Sequence, residues 1–259
     1  MMNRKSLIRV ALFSVAISAF FAASSADAQI FRVNNQPLFP RLHAWFSSPG
    51  YYYTGTPRAL FNGEDLTGWT NVKGEAPGEG WKVEDGCIFR EKNAGDLYTD
   101  GKFENFILEF EFKIAEKGNS GIKYRSWNTD GWGMGCEYQI YDDINDEKNP
   151  PKYQTGALYD VIVPREGAPK IKMGEFNKGK IVSIGDRIEH YLNDQLVMCV
   201  DVGTQSWNEA IAKSKFKDVK EFGTTAVGRI LLQDHNCQVW FKNLYITELT
   251  LAKKARCWR

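Results

Sequence analysis

Apolar and polar side chains alternate most strictly over Asn105–Ile114. Phe106, Leu108, Phe110, Phe112 and Ile114 share one parity, and Glu109, Glu111 and Lys113 share the other. Successive strand residues point to opposite faces, so this period of two predicts a half-buried antiparallel strand. Cys136–Asp142 alternates in the same way. Cys136, Tyr138 and Ile140 suit a core, and Glu137, Gln139 and Tyr141 form a polar face. Asp142 follows where the alternation stops, so a carboxylate, an amide and a second carboxylate are set to form the floor of a groove.

The same pattern predicts strands at Asn119–Trp127, Gly156–Tyr159, Lys180–Gly185, Arg187–Leu192, Gln195–Val200, Gly228–Asp234 and Gln238–Leu249. In the first of these, Lys123 and Arg125 fall on one face. Trp81–Phe89 reads as a hairpin around Asp85-Gly86, and Gly185-Asp186 and Asn193-Asp194 as further turns. Gly131, Gly133 and Gly135 read as a loop with no strand-to-helix context for a dinucleotide. One helix is expected within Trp207–Phe222, capped by Ser206 with Glu209 at the capping-box position. Many short strands, regular turns and almost no helix predict an all-β chain folded as an antiparallel β-sandwich.

The ends of the chain break the pattern. Arg4, Lys5 and Arg9 precede the apolar run Val10–Ala23, and Ala26-Asp27-Ala28 supplies small residues at a cleavage position. Residues 1–28 therefore read as an export signal, too short for a membrane span, and the expected location is periplasmic or secreted. Residues 29–57 scatter Pro37, Pro40, Pro49, Gly50, Gly55 and Pro57 among aromatics, which predicts an irregular arm. The globular domain is expected over residues 58–250, with 251–259 as a tail.

Composition narrows the function. Of 259 residues, 43% are hydrophobic and 14% aromatic, ample for a packed core. The net charge is +1, and removing residues 1–28, with three basic and one acidic side chain, brings it to −1. Such a balance gives no electrostatic case for nucleic acid or an anionic membrane surface. The five cysteines have long, irregular spacings with no C-x-x-C, which argues against a zinc site and leaves an odd thiol.

Several motifs stand in a fixed order. They are Leu60-Phe61-Asn62-Gly63-Glu64-Asp65-Leu66-Thr67-Gly68-Trp69, Asn119-Ser120-Gly121-Ile122 with Arg125, and Glu137-x-Gln139-x-x-Asp142. Thr155-Gly156-Ala157-Leu158-Tyr159, Ile188–Asn193, Leu232-Gln233-Asp234-His235 and Val239–Leu244 follow. Over roughly residues 59–250 this set resembles the 3-keto-disaccharide hydrolase family. Phe176-Asn177 departs from a usual Trp-Asn pair, Asn193-Asp194 from an Asn-Gly turn, and Lys242 from arginine. The resemblance implies a concanavalin-like jelly roll of the lectin and glucanase type, whose concave face holds sugar. It also implies cleavage of glycosides already oxidised at C3.

The chemistry of such a substrate defines what to look for. A C3 ketone acidifies the C2 proton, a base removes it, and the C1 oxygen leaves by β-elimination, with or without rehydration. This needs a base titrating near the working pH and a cation or donors at the developing enolate. The catalytic candidates are Glu137, His190, His235 and Arg125; those for holding substrate are Gln139, Gln233, Asp142, Lys123, Tyr159 and Trp127. Each has a structural alternative: Glu137 paired with Arg125 or Lys123, the histidines satisfied in the core, the aromatics packed. No cofactor is called for, although Glu137, His190, His235 and Asp142 are a conceivable divalent-metal set. The expected partner is carbohydrate, with a separate sugar 3-dehydrogenase upstream to install the ketone. Two other readings compete on the same scaffold: a retaining glucanase, disfavoured by Gln139 and Asp142 where carboxylates are needed, and a non-catalytic carbohydrate-binding module.

Overall fold

In the computed structural model, residues 32–33, 36–37, 51–129 and 132–253 are described. The export signal, most of the arm and Cys257 lie outside them. The chain divides into two units, Tyr53–Ala252 and the remainder (Met1–Tyr52 with Lys253–Arg259). In the remainder, β1 (Arg32–Val33) pairs with β2 (Gln36–Pro37). Within the described residues no helix is long and apolar enough to cross a membrane.

The larger unit is an antiparallel β-sandwich. After β3 (Tyr51–Thr54) come β4 (Pro57–Ala59), β5 (Trp69–Thr70), β6 (Trp81–Glu84), β7 (Cys87–Arg90), β8 (Leu97–Phe103) and β9 (Phe106–Ile114). Next are β10 (Asn119–Thr129), β11 (Trp132–Tyr141), β12 (Asn177–Ile184), β13 (Arg187–Leu192) and β14 (Gln195–Asp201). Helix α1 (Gln205–Ala212), β15 (Gly228–Leu232), β16 (Val239–Glu248) and β17 (Thr250–Lys253) complete the chain. One sheet has the order β11-β10-β15-β8-β5; the other runs β14-β13-β12-β9-β16-β7-β6, with β4 on β16. This is the antiparallel sandwich that the alternation predicts, of the kind that the family resemblance implies.

The core lies between the sheets. The apolar parity of β9 meets the apolar parity of β10 and β11: Tyr138 stands edge-on to Phe110 at 5.3 Å, and Tyr124 to Phe106 at 6.2 Å. Ile122, Tyr124, Cys136, Tyr138 and Ile140 are all completely buried. Their neighbours of opposite parity, Gly121, Lys123, Glu137 and Gln139, therefore lie on the outer face of the five-stranded sheet. Tight turns hold the other sheet in register. Asp85-Gly86 and Asn193-Asp194 all have positive φ (50°, 70°, 47° and 67°), as two-residue hairpins with the native twist require.

Four expectations about elements change. Gly133 and Gly135 lie inside β11, because a side chain at 133 would collide with Leu231 and one at 135 would sit 2.7 Å from the Tyr124 carbonyl oxygen. Segment 155–159 runs along β11, with Gly156 N donating to Gln139 O and Tyr159 N to Glu137 O, but forms no regular strand. The helix ends at Ala212, where Ser214 Oγ donates to Ile211 O and accepts from Phe216 N. Its cap is Thr204, whose hydroxyl accepts from Trp207 N, in place of Ser206.

Candidate active site

Strand register builds the site. Lys123 of β10 sits opposite Glu137 of β11, Gly121 sits opposite Gln139, and Gln233 N donates to Gly121 O from the end of β15. The side chains that share this face cannot all be long. At Gly121 an added Cβ would lie 2.7 Å from Glu137 Oε1, so glycine leaves the space that the carboxyl occupies. Above the sheet, segment 155–159 brings Tyr159, and the chain after α1 brings Lys215 and Phe216. Together they enclose a cleft of about 570 Å³. That volume suits a small sugar, as ligand sites commonly span about 300–1,000 Å³.

Glu137 lies at the floor of the cleft and is 7% exposed. Burial pushes its pKa from 4.5 up to about 7, against the pull of the Lys123 and Lys215 ammonium groups. Among the described residues, no group donates a hydrogen bond to its carboxylate, so its lone pairs face the cleft. Lys123 Nζ donates to Gly133 O at 3.2 Å. Lys215 Nζ stands 4.2 Å from the centre of the Tyr159 ring. Its pKa is lowered by burial, with Glu137 opposing. His235, Gln233 and Asn119 also line the cleft. Asp96 Oδ1 accepts from Asp234 N, and burial raises the Asp96 carboxyl. Asp234 itself is consumed in a buried ion pair with Arg90, at 2.6 Å, and in holding Ala94 N and Gly95 N.

The cleft thus brings together Glu137, His235, Lys123, Gln233 and Tyr159. It does not contain Arg125 or His190. A bulge shifts the register between Tyr124 and Trp127, and Arg125 takes φ 50° and turns inward. Its guanidinium donates to Ser183 Oγ, Gly223 O and Gly185 O, and it is 2% exposed. The expected face shared by Lys123 and Arg125 is lost at that extra residue. His190 has the core parity of β13 and is completely buried. It lies 2.7 Å from Tyr124 OH through Nε2 and 3.0 Å from Gly156 O through Nδ1. The Gly156 carbonyl can only accept, so Nδ1 carries the proton and Nε2 accepts from the tyrosine. Burial pulls the His190 pKa down to about 3, so it stays neutral.

Three further expectations shift. Asp142 caps the following loop, accepting from Lys117 N, Ile144 N, Asn145 N and Asn145 Nδ2, and it faces no cleft. Gln139 is 1% exposed, and its Nε2 donates to Asn119 Oδ1, so it supports a cleft residue from below. Trp127, beyond the bulge, packs against the core. The conceivable metal set of Glu137, His190, His235 and Asp142 does not converge, since His190 lies between the sheets and Asp142 in a loop. Among the described residues no other cluster of three or more His, Cys, Asp or Glu is suited to a metal. Sequence reading missed Lys215 and Phe216, because a helix expected within Trp207–Phe222 gives neither of them a place at a cleft. The break was signalled by Ser214, which competes for helix backbone.

A buried carboxyl, two lysines and a histidine thus line one cleft on the outer face of the five-stranded sheet. Comparison with known proteins gives the family. Residues 56–247 match the 3-keto-alpha-glucoside-1,2-lyase-like domain, and the chain belongs to that family. It is 32% identical over 227 residues to a 3-keto-disaccharide hydrolase of Bacteroides thetaiotaomicron, covering 73% of this chain and 77% of that protein. Among solved structures, a candidate glycosyl hydrolase of Parabacteroides distasonis is 30% identical, with a TM-score of 0.68 over 78% of this chain and 95% of that one. A second from the same organism, at 24% identity and TM-score 0.57 over 74% of this chain and 99% of that one, shares the fold.

Proposed function

We propose that this protein cleaves 3-keto-disaccharides, with Glu137 as the base that removes the C2 proton. The observation that carries the reading is the Glu137 carboxyl itself: buried, poised near pH 7, and unengaged at the floor of the cleft. A base is most effective when its pKa lies near the working pH, and such a group contributes about 10²–10⁴-fold in rate. Once the proton has moved, negative charge gathers toward C3. Lys123 and Lys215 are the cations on hand to meet it. His235, also lining the cleft, supplies a proton to the departing C1 oxygen. Tyr159 offers a ring against which a sugar face packs. Addition of water to the unsaturated product completes a net hydrolysis.

A retaining glucanase needs a nucleophile and an acid about 5–5.5 Å apart. Here Gln139 has no acid to give, and Asp142 is spent on four loop hydrogen bonds. A substrate that already carries a ketone needs only one base. The export signal in the sequence would place this step outside the cytoplasm, after a separate oxidation of the sugar at C3.

The test offers the purified protein a 3-keto-disaccharide and its unoxidised parent. Cleavage of the keto form alone, abolished in Glu137→Gln, supports the reading; cleavage of the parent, or full activity in the variant, overturns it. Deuterium from D2O should enter C2 of unreacted or released sugar only when Glu137 is present.

A further inference from the structure

We propose that Asn119 is a further catalytic residue, whose side-chain amide donates a hydrogen bond to the C3 oxygen as negative charge builds there. Gln139 is the positioning residue that aims it. The inference rests on the proposed function and deepens it by naming the group that meets the enolate oxygen.

Strand register makes the amide a neighbour of the base. Asn119 and Gly121 share a face of β10, two residues and so about 7 Å apart. Glu137 is paired with Lys123, but its carboxyl leans over Gly121, where a Cβ would lie 2.7 Å from Oε1 and 3.0 Å from Cγ. The carboxyl thus stands one step nearer Asn119, which lines the same cleft. A C2 proton and a C3 oxygen belong to adjacent ring atoms, so their base and donor must be close on one surface. The amide is also turned the right way. Asn119 Oδ1 accepts from Gln139 Nε2 at 3.1 Å, which leaves Nδ2, with no acceptor among the described residues, to the cleft. Turning both amides over would strand the Gln139 NH2 where its oxygen now lies, shut in and without a partner. Two unmet donors cost more than one unmet acceptor, so the observed orientation is the favoured one.

The lysines leave this role open. Lys123 Nζ donates to Gly133 O at 3.2 Å, and Lys215 Nζ rests on the rings of Tyr159, at 4.2 Å, and Phe216, at 5.1 Å. Both supply charge from a distance, whereas an enolate oxygen is held best by a directed donor. A sugar hydroxyl can turn its own proton to suit either end of an amide. A ketone oxygen only accepts, and so it selects the nitrogen.

The steps balance without an oxidant or reductant. Glu137 accepts the C2 proton, the C–H pair becomes the C2–C3 double bond, and the carbonyl pair moves onto the C3 oxygen. Asn119 Nδ2 donates to that oxygen and keeps its own proton throughout. When the C3 carbonyl re-forms, the C2–C3 pair moves to C1–C2 and the C1–O pair leaves with the alcohol, which takes its proton from His235. Water then adds hydroxyl at C1 and a proton at C2. The hydrogen bond strengthens only as charge builds, so its loss falls on kcat and not on KM.

The test measures kcat, KM and Tm in the full chain and its variants with a 3-keto-disaccharide. Asn119→Leu keeps the bulk and removes the donor, while Asn119→Asp keeps the bond from Gln139 and offers the cleft an oxygen. Both are read on the high-pH plateau, where a shift in the Glu137 titration no longer changes kcat. Each should lower kcat about 10²–10³-fold, the usual cost of a lost oxyanion donor, with KM nearly unchanged. Gln139→Met should lower kcat about tenfold in the parent and do nothing further in the Asn119→Leu background, a coupling that a merely structural role would not give. Should Asn119→Leu fail to fold, Asn119→Asp decides the donor, and Gln139→Met is read in its background. Near-parental kcat in the Asn119 variants, or a loss confined to KM, overturns the assignment and leaves the proposed function intact. An equal loss from Gln139→Met in both backgrounds overturns its positioning role. No cleavage of any 3-keto-disaccharide by the parent protein overturns the proposed function on which the assignment rests.

Discussion

Replacing Glu137 with glutamine should make the protein more stable, and only above a certain pH. Below about pH 4.5 the carboxyl is protonated in the folded and unfolded chain alike, and burial costs it little. Between 4.5 and 7 the unfolded chain has released the proton while the folded protein still holds it. Above 7 the folded protein carries a buried charge and the penalty is complete, so stability falls as pH rises through this window. Each pKa unit corresponds to about 1.36 kcal/mol, and a rise from 4.5 to about 7 amounts to about 3 kcal/mol. The residue is 7% exposed, so solvent screening takes little from that figure. Glutamine keeps the shape and removes the charge. For a domain of this size 1 kcal/mol moves Tm by about 2–4 °C, so at pH 8.5 the variant should melt about 6–12 °C higher than the parent. At pH 4 the two should nearly coincide. Glu109, also raised to about 7 by burial, destabilises both proteins equally and cancels in the difference. Paired thermal and urea unfolding across pH 4–8.5 reads the effect. A stability difference that does not change with pH would show that Glu137 carries no buried charge, and would remove the ground for its role as base.

Four further outcomes follow from the same geometry. kcat/KM for the keto substrate should rise with pH through about 7 and then level, and Lys123→Met should move that rise to higher pH, because the ammonium lowers the Glu137 pKa; a rise unmoved by the substitution would mean that another group is being read. Gly121→Ala should cut kcat about tenfold or more while leaving Tm nearly unchanged, since its Cβ displaces the carboxylate and strains no backbone; normal kinetics would show that the carboxylate position is unimportant. His190→Ala should cost about 2–4 kcal/mol in urea unfolding, as it opens an interior cavity and strips Tyr124 OH and Gly156 O of their partner; loss of activity in a fully stable variant would return His190 to the catalytic set. Arg125→Met should destabilise by about 2–4 kcal/mol, because two buried acceptors and the part-buried Gly185 carbonyl lose their donor, and KM in whatever folded protein remains should be unchanged.

How far the sequence could be read depended on what each residue's signal measures. Alternation reports which side of a sheet a residue takes, so β9 and the polar face at Glu137 were legible directly, because one side of each strand must be apolar. Alternation fails wherever an extra residue enters the ladder. Arg125 follows Lys123 by two and so reads as its companion on the sheet face; a single bulge with positive φ sends it to the opposite face, and nothing in the residue types marks the place. His190 failed for a different cause. Its motif is polar and suggests polar surroundings, whereas its parity in Arg187–Leu192, alongside Ile188 and Leu192, assigns it to the core. Parity was the better guide there than chemical type.

Lys215 shows a third limit. It reaches Glu137 from 78 positions later in the chain, across a connection that follows a helix, and no local pattern encodes such a meeting. What local pattern does encode is the reason the helix stops in time to make it: Ser214 turns the chain, and Phe216 leaves the helix to stack on Phe222 at 3.9 Å. A helix continued through Lys215 would place that lysine by helical period instead of against Tyr159. The cleft therefore depends on a weak helix end as much as on a strong strand. Strengthening that end, for example with Ser214→Ala, should lengthen the helix and move Lys215 off the Tyr159 ring. Turnover would then fall although no cleft residue has been changed. Unaltered turnover in a variant whose helix content has risen would refute this dependence.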